Sequence, residues 1–315
     1  MGRPFAYARG CPERATRLAL GTLRLMAEIG GVLTAMVTPF AEDRSVDEAA
    51  ARQLARHLIE NGSHGLVLAG TTGESPTQDD AEKLGLLRAV RDEVGADVLL
   101  ICGTGSYDTR HSERLSAAAA DAGADGVLAV TPYYSKPNFT GIKAHYEAVA
   151  RAAEVPVLLY NIPSRVVVNL SPDQLAELAQ IENIVGVKQA NDDELQPIDG
   201  LRVLAGNDGT FLRTLEMGEP GGILVASHLV GPEMREIYDA VQGGDLDRAR
   251  EIDGRLRPIY EVLGKTNPIP VKAGLELLGI CSARARLPIV EADDEQRAEV
   301  RRALESHGLL AGSAA

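Results

Sequence analysis

The chain has 315 residues, 45% of them hydrophobic and 24% charged, with 32 Gly, 16 Pro and no Trp; this is ordinary globular composition and argues against long disorder, collagen and coiled coil. Thirty-two Lys and Arg against 45 Asp and Glu give a formal charge of -13, which disfavours broad contact with phosphate backbones or anionic lipid, so no nucleic acid and no membrane is expected as a partner. No apolar stretch approaches the roughly 20 residues that span a bilayer, and an anionic small molecule would need a specific local cation.

In chain order, residues 1–29 come first. They hold Arg3, Arg9, Arg14, Arg17 and Arg24 against Glu13 and Glu28, without the apolar segment or small-residue cleavage site of a leader. They are read as a disordered N-terminal extension. From Gly30 onward, eight short apolar runs recur, at 32–37, 65–69, 98–102, 126–130, 155–160, 184–188, 203–205 and 222–226. Most are continuous Val, Leu and Ile rather than alternating, the pattern of parallel strands covered on both faces. Between them lie segments of helical periodicity such as 47–60, 79–94, 109–122 and 141–153, and Ser171-Pro172 opens another with a capping hydroxyl and a first-turn proline. Strand centres fall about 30 residues apart for the first six and about 20 for the last two, which is βαβ spacing.

Eight strand-helix units predict a (β/α)8 TIM barrel over 30–242. The alternative is an open doubly wound sheet, which would show a Gly-rich turn after its first strand; here that strand runs into Thr38-Pro39-Phe40. Residues 243–312 read as helices packed on the barrel, at 245–264, 268–279 and 294–307. Cys11, Cys102 and Cys281 are odd in number and widely spaced. They suit neither a disulfide framework nor a zinc site, so a reducing compartment, the cytoplasm, is expected.

In such a barrel the chemistry sits at the C-terminal ends of the strands. Of six lysines, only Lys188 ends an apolar strand run, Ile184-Val185-Gly186-Val187-Lys188. Burial there disfavours the ammonium and leaves an amine able to attack a carbonyl. The alternative is a strand-capping lysine with its head in water or paired to Asp192. Tyr160 ends the adjacent strand, where a phenol could move protons to and from a carbinolamine with a Thr71 hydroxyl as relay; the alternative is a packing tyrosine. Gly70-Thr71-Thr72-Gly73 offers amides and hydroxyls as a carboxylate cradle, or is an ordinary βα turn. Arg165, on the loop after strand 5, suits a bidentate carboxylate contact, or a surface salt bridge. The six histidines show no metal-ligand spacing, so no metal is expected.

Five segments, Gly31-Val32-Leu33-Thr34-Ala35-Met36-Val37-Thr38-Pro39-Phe40, Gly70-Thr71-Thr72-Gly73-Glu74-Ser75, Thr131-Pro132-Tyr133-Tyr134, Tyr160-Asn161-Ile162-Pro163-Ser164-Arg165 and Val185-Gly186-Val187-Lys188, resemble the motifs of the dihydrodipicolinate synthase and N-acetylneuraminate lyase family over about residues 30–288. The resemblance implies that Lys188 forms a Schiff base with pyruvate, so that no separate cofactor is needed, and that Tyr160 is the acid and base. It implies that Thr71 links Tyr160 to Tyr134 in a proton relay, with Tyr134 reaching in from a neighbouring subunit of a homotetramer built as a dimer of dimers. Thr71 and Thr72 would hold the pyruvate carboxylate. In the synthase branch an arginine at the place of Arg165 binds the carboxylate of aspartate semialdehyde; Gly206 and Ile223 complete the expected substrate-binding set. The implied reaction condenses pyruvate with aspartate semialdehyde to 4-hydroxy-tetrahydrodipicolinate, on the route to diaminopimelate and lysine.

Some positions depart from the family. Asp80, Lys83, Tyr107 and His111 stand beside Ser75 and Tyr133 where lysine-inhibited members carry His and acidic or amide groups, so weak or absent feedback inhibition is expected. Gln189 and Asn191 after the lysine, and Asn207, also differ, which bears on the choice of aldehyde. The competing functions are aldol cleavage of a 2-keto-3-deoxy sugar acid, for which Arg165 is the discriminating residue, and a non-catalytic metabolite-binding barrel.

Overall fold

The computed structural model describes residues 29–311. Eight parallel strands close into a barrel in sequence order: β1 (Gly31–Ala35), β2 (Gly65–Leu68), β3 (Leu99–Gly103), β4 (Gly126–Val130), β5 (Val157–Asn161), β6 (Ile184–Gln189), β7 (Arg202–Ala205) and β8 (Gly221–Leu224), with β8 pairing back onto β1. The continuous apolar runs are explained by the wall. Alternate residues of each strand fall into two separate clusters, one inside the barrel with Leu33, Val67, Ile101, Leu158 and Leu204, the other outside with Val32, Leu66, Leu100, Leu159 and Val203.

The helices between strands are α1 (Glu48–Glu60), α2 (Asp80–Val94), α3 (Thr109–Asp121), α4 (Phe139–Ala152), the short α5 (Pro163–Val166), α6 (Pro172–Leu178) and α7 (Phe211–Glu216). Two expected windows begin one residue early because they include the cap: Asp47 accepts from the Ala50 amide, and Asp79 and Glu82 form a reciprocal capping box. α4 starts earlier than expected because the Asn138 cap already bonds the Gly141 amide, making Phe139 and Thr140 its first turn. Between β6 and β7 there is no crossover helix but only a 3-10 turn, Asp192–Glu194, so the sixth strand-helix repeat is incomplete.

β1 and β8 are shorter than their apolar runs, for a reason that concerns the site. The Val37 amide leaves the ladder to bond His228 Nε2 at 3.1 Å. The Val225 and Ala226 amides turn to Asp208 Oδ1 at 2.9 and 3.0 Å. After β8 come α8 (Ser227–Gln242), kinked at Val230, α9 (Leu246–Gly264), α10 (Ile269–Leu277) and α11 (Asp294–His307). Leu256, Ile259, Val271, Leu275, Val300 and Leu304 of these helices join the same core cluster as the outer face of the barrel. Ile29 is buried with the interior cluster, so order begins by residue 29; the rest of the expected N-terminal extension lies outside the described residues.

Candidate active site

The ends of β2 to β5 surround a cavity of about 220 Å³, with Thr71, Ser75, Tyr133, Tyr160 and Arg165 in its wall. β5 and β6 set the central pair. They run in register with Tyr160 opposite Lys188 and Asn161 opposite Gln189. Both Tyr160 and Lys188 are 5% exposed, and Lys188 Nζ lies 4.6 Å from the centroid of the Tyr160 ring. Asp192, the alternative partner for Lys188, accepts instead from Asn207 Nδ2 at 2.8 Å. The carboxylate whose charge couples to Lys188 is Asp208. Burial raises its carboxyl above the usual range, opposed by the Ala226 and Val225 amides and by the Lys188 ammonium.

The same strand alternation sends Gln189 to the other side of the wall. It is fully buried, and its Oε1 accepts from Asn161 Nδ2 and from the Asn191 amide, both at 3.1 Å. Gln189 thus braces β5 against β6 behind the reactive pair, accepting bonds as a carboxylate in its place would. Asn191 is likewise directed to Asn169 Oδ1 at 3.1 Å.

The turn after β2 is held in a strained shape. Ala69 and Glu74 both have left-handed φ, 51° and 57°, which costs of order 1 kcal/mol or more for a residue with a side chain. Glu74 persists there because its carboxylate is fully buried and bonded to Lys272 Nζ and to the Arg286 amide. Burial pushes the Lys272 amine below its ordinary range, and the Glu74 carboxylate opposes that shift. Thr71 faces the cavity. The neighbouring Thr72 is 2% exposed and its Oγ1 accepts from Asn267 Nδ2 at 2.9 Å.

Arg165 is exposed at the cavity wall. Its Nη2 lies 3.5 Å from the Asn267 carbonyl oxygen, and it forms no ion pair among the described residues, so the surface salt bridge is not what holds it. Tyr134 is not brought to this cavity. It is 90% exposed with a left-handed φ of 67°, and Tyr133 takes the place in the wall, stacked edge-on against Tyr107 with ring centroids 5.3 Å apart. Ile223 is fully buried in the barrel interior. Gly206 donates its amide to the Gln189 carbonyl at 2.7 Å, and a Cβ there would meet that oxygen at 2.6 Å; close approach of β7 to β6 is what requires glycine.

Asn267, Lys272 and Asp208 were not among the candidate residues. Lys272 had a signal, a lysine inside the apolar run Ile269-Pro270-Val271-Lys272-Ala273; Asn267 had none. Among the described residues no three His, Cys, Asp or Glu side chains group as a metal site, and no helix is long and apolar enough to cross a membrane.

Comparison with known proteins identifies the family. The profile of the dihydrodipicolinate synthetase family matches residues 28–307. The chain is 47% identical over 293 residues to a 4-hydroxy-tetrahydrodipicolinate synthase of Symbiobacterium thermophilum, covering 90% of this chain and 100% of the relative. It is 49% identical over 276 residues to one from Mycobacterium leprae, covering 86% and 92%. The crystal structure of a dihydrodipicolinate synthase from Acinetobacter baumannii, complexed with pyruvate, superposes with a TM-score of 0.86 at 34% identity, covering 90% of this chain and 100% of that one.

Proposed function

The chain belongs to the dihydrodipicolinate synthetase family, and we infer from that premise that it is a lyase condensing pyruvate with L-aspartate 4-semialdehyde to 4-hydroxy-tetrahydrodipicolinate, in the route to diaminopimelate and lysine. The observation that carries the mechanism is the buried amine of Lys188 lying 4.6 Å from the centroid of the Tyr160 ring, which itself forms part of the cavity wall.

Lys188 Nζ attacks C2 of pyruvate, and loss of water from the carbinolamine gives the imine. Tyr160 supplies the proton that leaves with the water, and Thr71 relays it. Thr71 and Thr72 hold the pyruvate carboxylate. Removal of a proton from C3 yields an enamine, which attacks the aldehyde carbon of the second substrate while the aldehyde oxygen takes a proton. The amine carried in by the semialdehyde then adds to C2 and displaces Lys188, closing the ring and freeing the enzyme. One water is lost over the cycle, and the imine serves as the electron sink, so the reaction calls for no cofactor. Arg165 binds the carboxylate of the semialdehyde with a fork of N–H donors, which favours this substrate over a polyhydroxylated sugar acid.

The active form is proposed to be a dimer of dimers in which Tyr134 completes the relay of a neighbouring site. A cytoplasmic setting fits the free thiols of Cys102 and Cys281. Feedback by lysine is proposed to be weak, because Asp80 is already bonded to His111 Nε2 at 2.7 Å and Lys83 presents a like charge. Borohydride reduction in the presence of pyruvate tests the mechanism: the expected outcome is one reduced pyruvate adduct on Lys188, located by peptide mass. An adduct on another lysine, or no adduct, would overturn it.

A further inference from the structure

We propose that Asn267 is a positioning residue that aims the Thr72 hydroxyl proton at the pyruvate carboxylate and so sets the affinity for the first substrate; this rests on the assignment of Thr72 to that carboxylate. Asn267 lies outside the barrel, in the link between α9 and α10, 195 residues from Thr72 in sequence. Its Nδ2 donates to Thr72 Oγ1 at 2.9 Å. A threonine hydroxyl has one proton to give and two lone pairs to receive with. Once an amide N–H occupies a lone pair, the hydroxyl proton must point away from Asn267. On a turn whose neighbouring Thr71 lines the cavity, that leaves Thr72 as a donor toward a carboxylate bound there.

The direction is fixed rather than averaged, because the same C-terminal segment fastens the turn at further points. Lys272 Nζ bonds Glu74 Oε1, the Arg286 amide bonds Glu74 Oε2 at 2.9 Å, and Arg286 Nη1 bonds the Thr77 carbonyl at 2.9 Å. The cradle is thus built half by the barrel and half by the helices that follow it. An acceptor in place of the Asn267 amide would take the Thr72 proton and turn lone pairs toward the substrate anion.

The test is a pyruvate titration of the borohydride adduct on full-length wild type, Asn267→Ala, Asn267→Asp and Thr72→Val, each alone, and the Thr72→Val/Asn267→Ala pair, with thermal midpoints measured beside it. The half-trapping pyruvate concentration is expected to rise about fivefold in Asn267→Ala, for one lost hydrogen bond, and roughly thirtyfold in the isosteric Asn267→Asp, where a charge is involved. The adduct at saturation and the KM for the semialdehyde stay as in wild type. Adding Asn267→Ala to Thr72→Val is expected to cost nothing further. Unchanged half-trapping in both Asn267 variants, with only the thermal midpoint lowered, would reduce Asn267 to a structural residue and overturn the inference while leaving Lys188 in its role. Additive losses in the double variant would overturn it equally, since the amide would then act elsewhere than on Thr72. No adduct on wild-type Lys188 would remove the mechanism and this inference together.

Discussion

A single exposed arginine, Arg165, is proposed to set the choice of second substrate. Arg165 is unpaired by any described carboxylate, and among the described residues its guanidinium makes only a 3.5 Å approach to the Asn267 carbonyl oxygen, so its donors remain open to a ligand in a chain of formal charge -13. Loss of a bidentate, charge-assisted contact is worth about 3 kcal/mol, or on the order of 100-fold. Arg165→Ala is therefore expected to lower kcat/KM for aspartate semialdehyde by about that factor while leaving pyruvate trapping on Lys188 unchanged. A coupled assay with both substrates checks it: equal activity on 2-keto-3-deoxygluconate before and after the substitution, with little on the semialdehyde in either, would assign the chain to sugar-acid cleavage instead. The places of Lys188 and Tyr160 were legible in the sequence because each stands at a strand end, and that of Arg165 because it follows on the segment after β5; strand ends can be counted from apolar runs. The bracing contact of Gln189 with Asn161 was not legible, because it depends on the register of β5 against β6. Asn267 was illegible because what it does depends on a contact 195 residues away, which no local pattern records.

At the scale of elements, the strand runs were readable to within one or two residues, and their misjudged ends are informative. β1 and β8 stop early because the amides that follow them are taken by the buried side chains of His228 and Asp208. His228 is buried between β1 and the start of α8. Its Nε2 accepts from the Val37 amide and its Nδ1 faces the Val225 carbonyl at 2.8 Å, an arrangement that requires the neutral ring. Burial pushes the His228 imidazole down to about 4 from 6.5. Above pH 6.5 the ring is neutral whether the chain is folded or not, and it makes no pH-dependent contribution. As the pH falls from 6.5 toward 4, the unfolded chain takes up a proton that the folded one refuses, so stability is lost across that window. The loss is on the order of 3 kcal/mol. His228→Gln keeps one donor and one acceptor but cannot titrate. Its unfolding free energy, measured by denaturant titration at several pH values, is expected to fall less steeply than wild type between pH 6.5 and 4, and parallel curves would show that His228 is not the group responsible.

The molecule as a whole ends with a surface that one chain does not use. Tyr134 is 90% exposed and Tyr107 62% exposed, and Tyr107 packs edge-on against Tyr133, which itself forms part of the cavity wall. Exposed aromatic side chains grouped beside a cavity are what a second copy would cover. Tyr134 is also held outward by a left-handed backbone, a conformation whose cost is recovered when the side chain has a fixed place to go. The cavity of one chain is lined by the Tyr160 and Thr71 hydroxyls but not by its own Tyr134, and a twofold pair of chains would exchange one tyrosine in each direction. The consequence can be tested by complementation between two inactive chains. Lys188→Ala removes the nucleophile, and Tyr134→Phe removes the relay hydroxyl, at a cost of roughly 100-fold or more for lost acid and base catalysis. If Tyr134 serves its neighbour, a hybrid of the two variants holds one complete site, with Lys188 from one chain and Tyr134 from the other. Refolding the variants together in equal amounts is expected to restore about one quarter of wild-type activity, the share of complete sites in random twofold pairs. Activity no greater than the sum of the separate variants would mean that Tyr134 acts within its own chain or not at all.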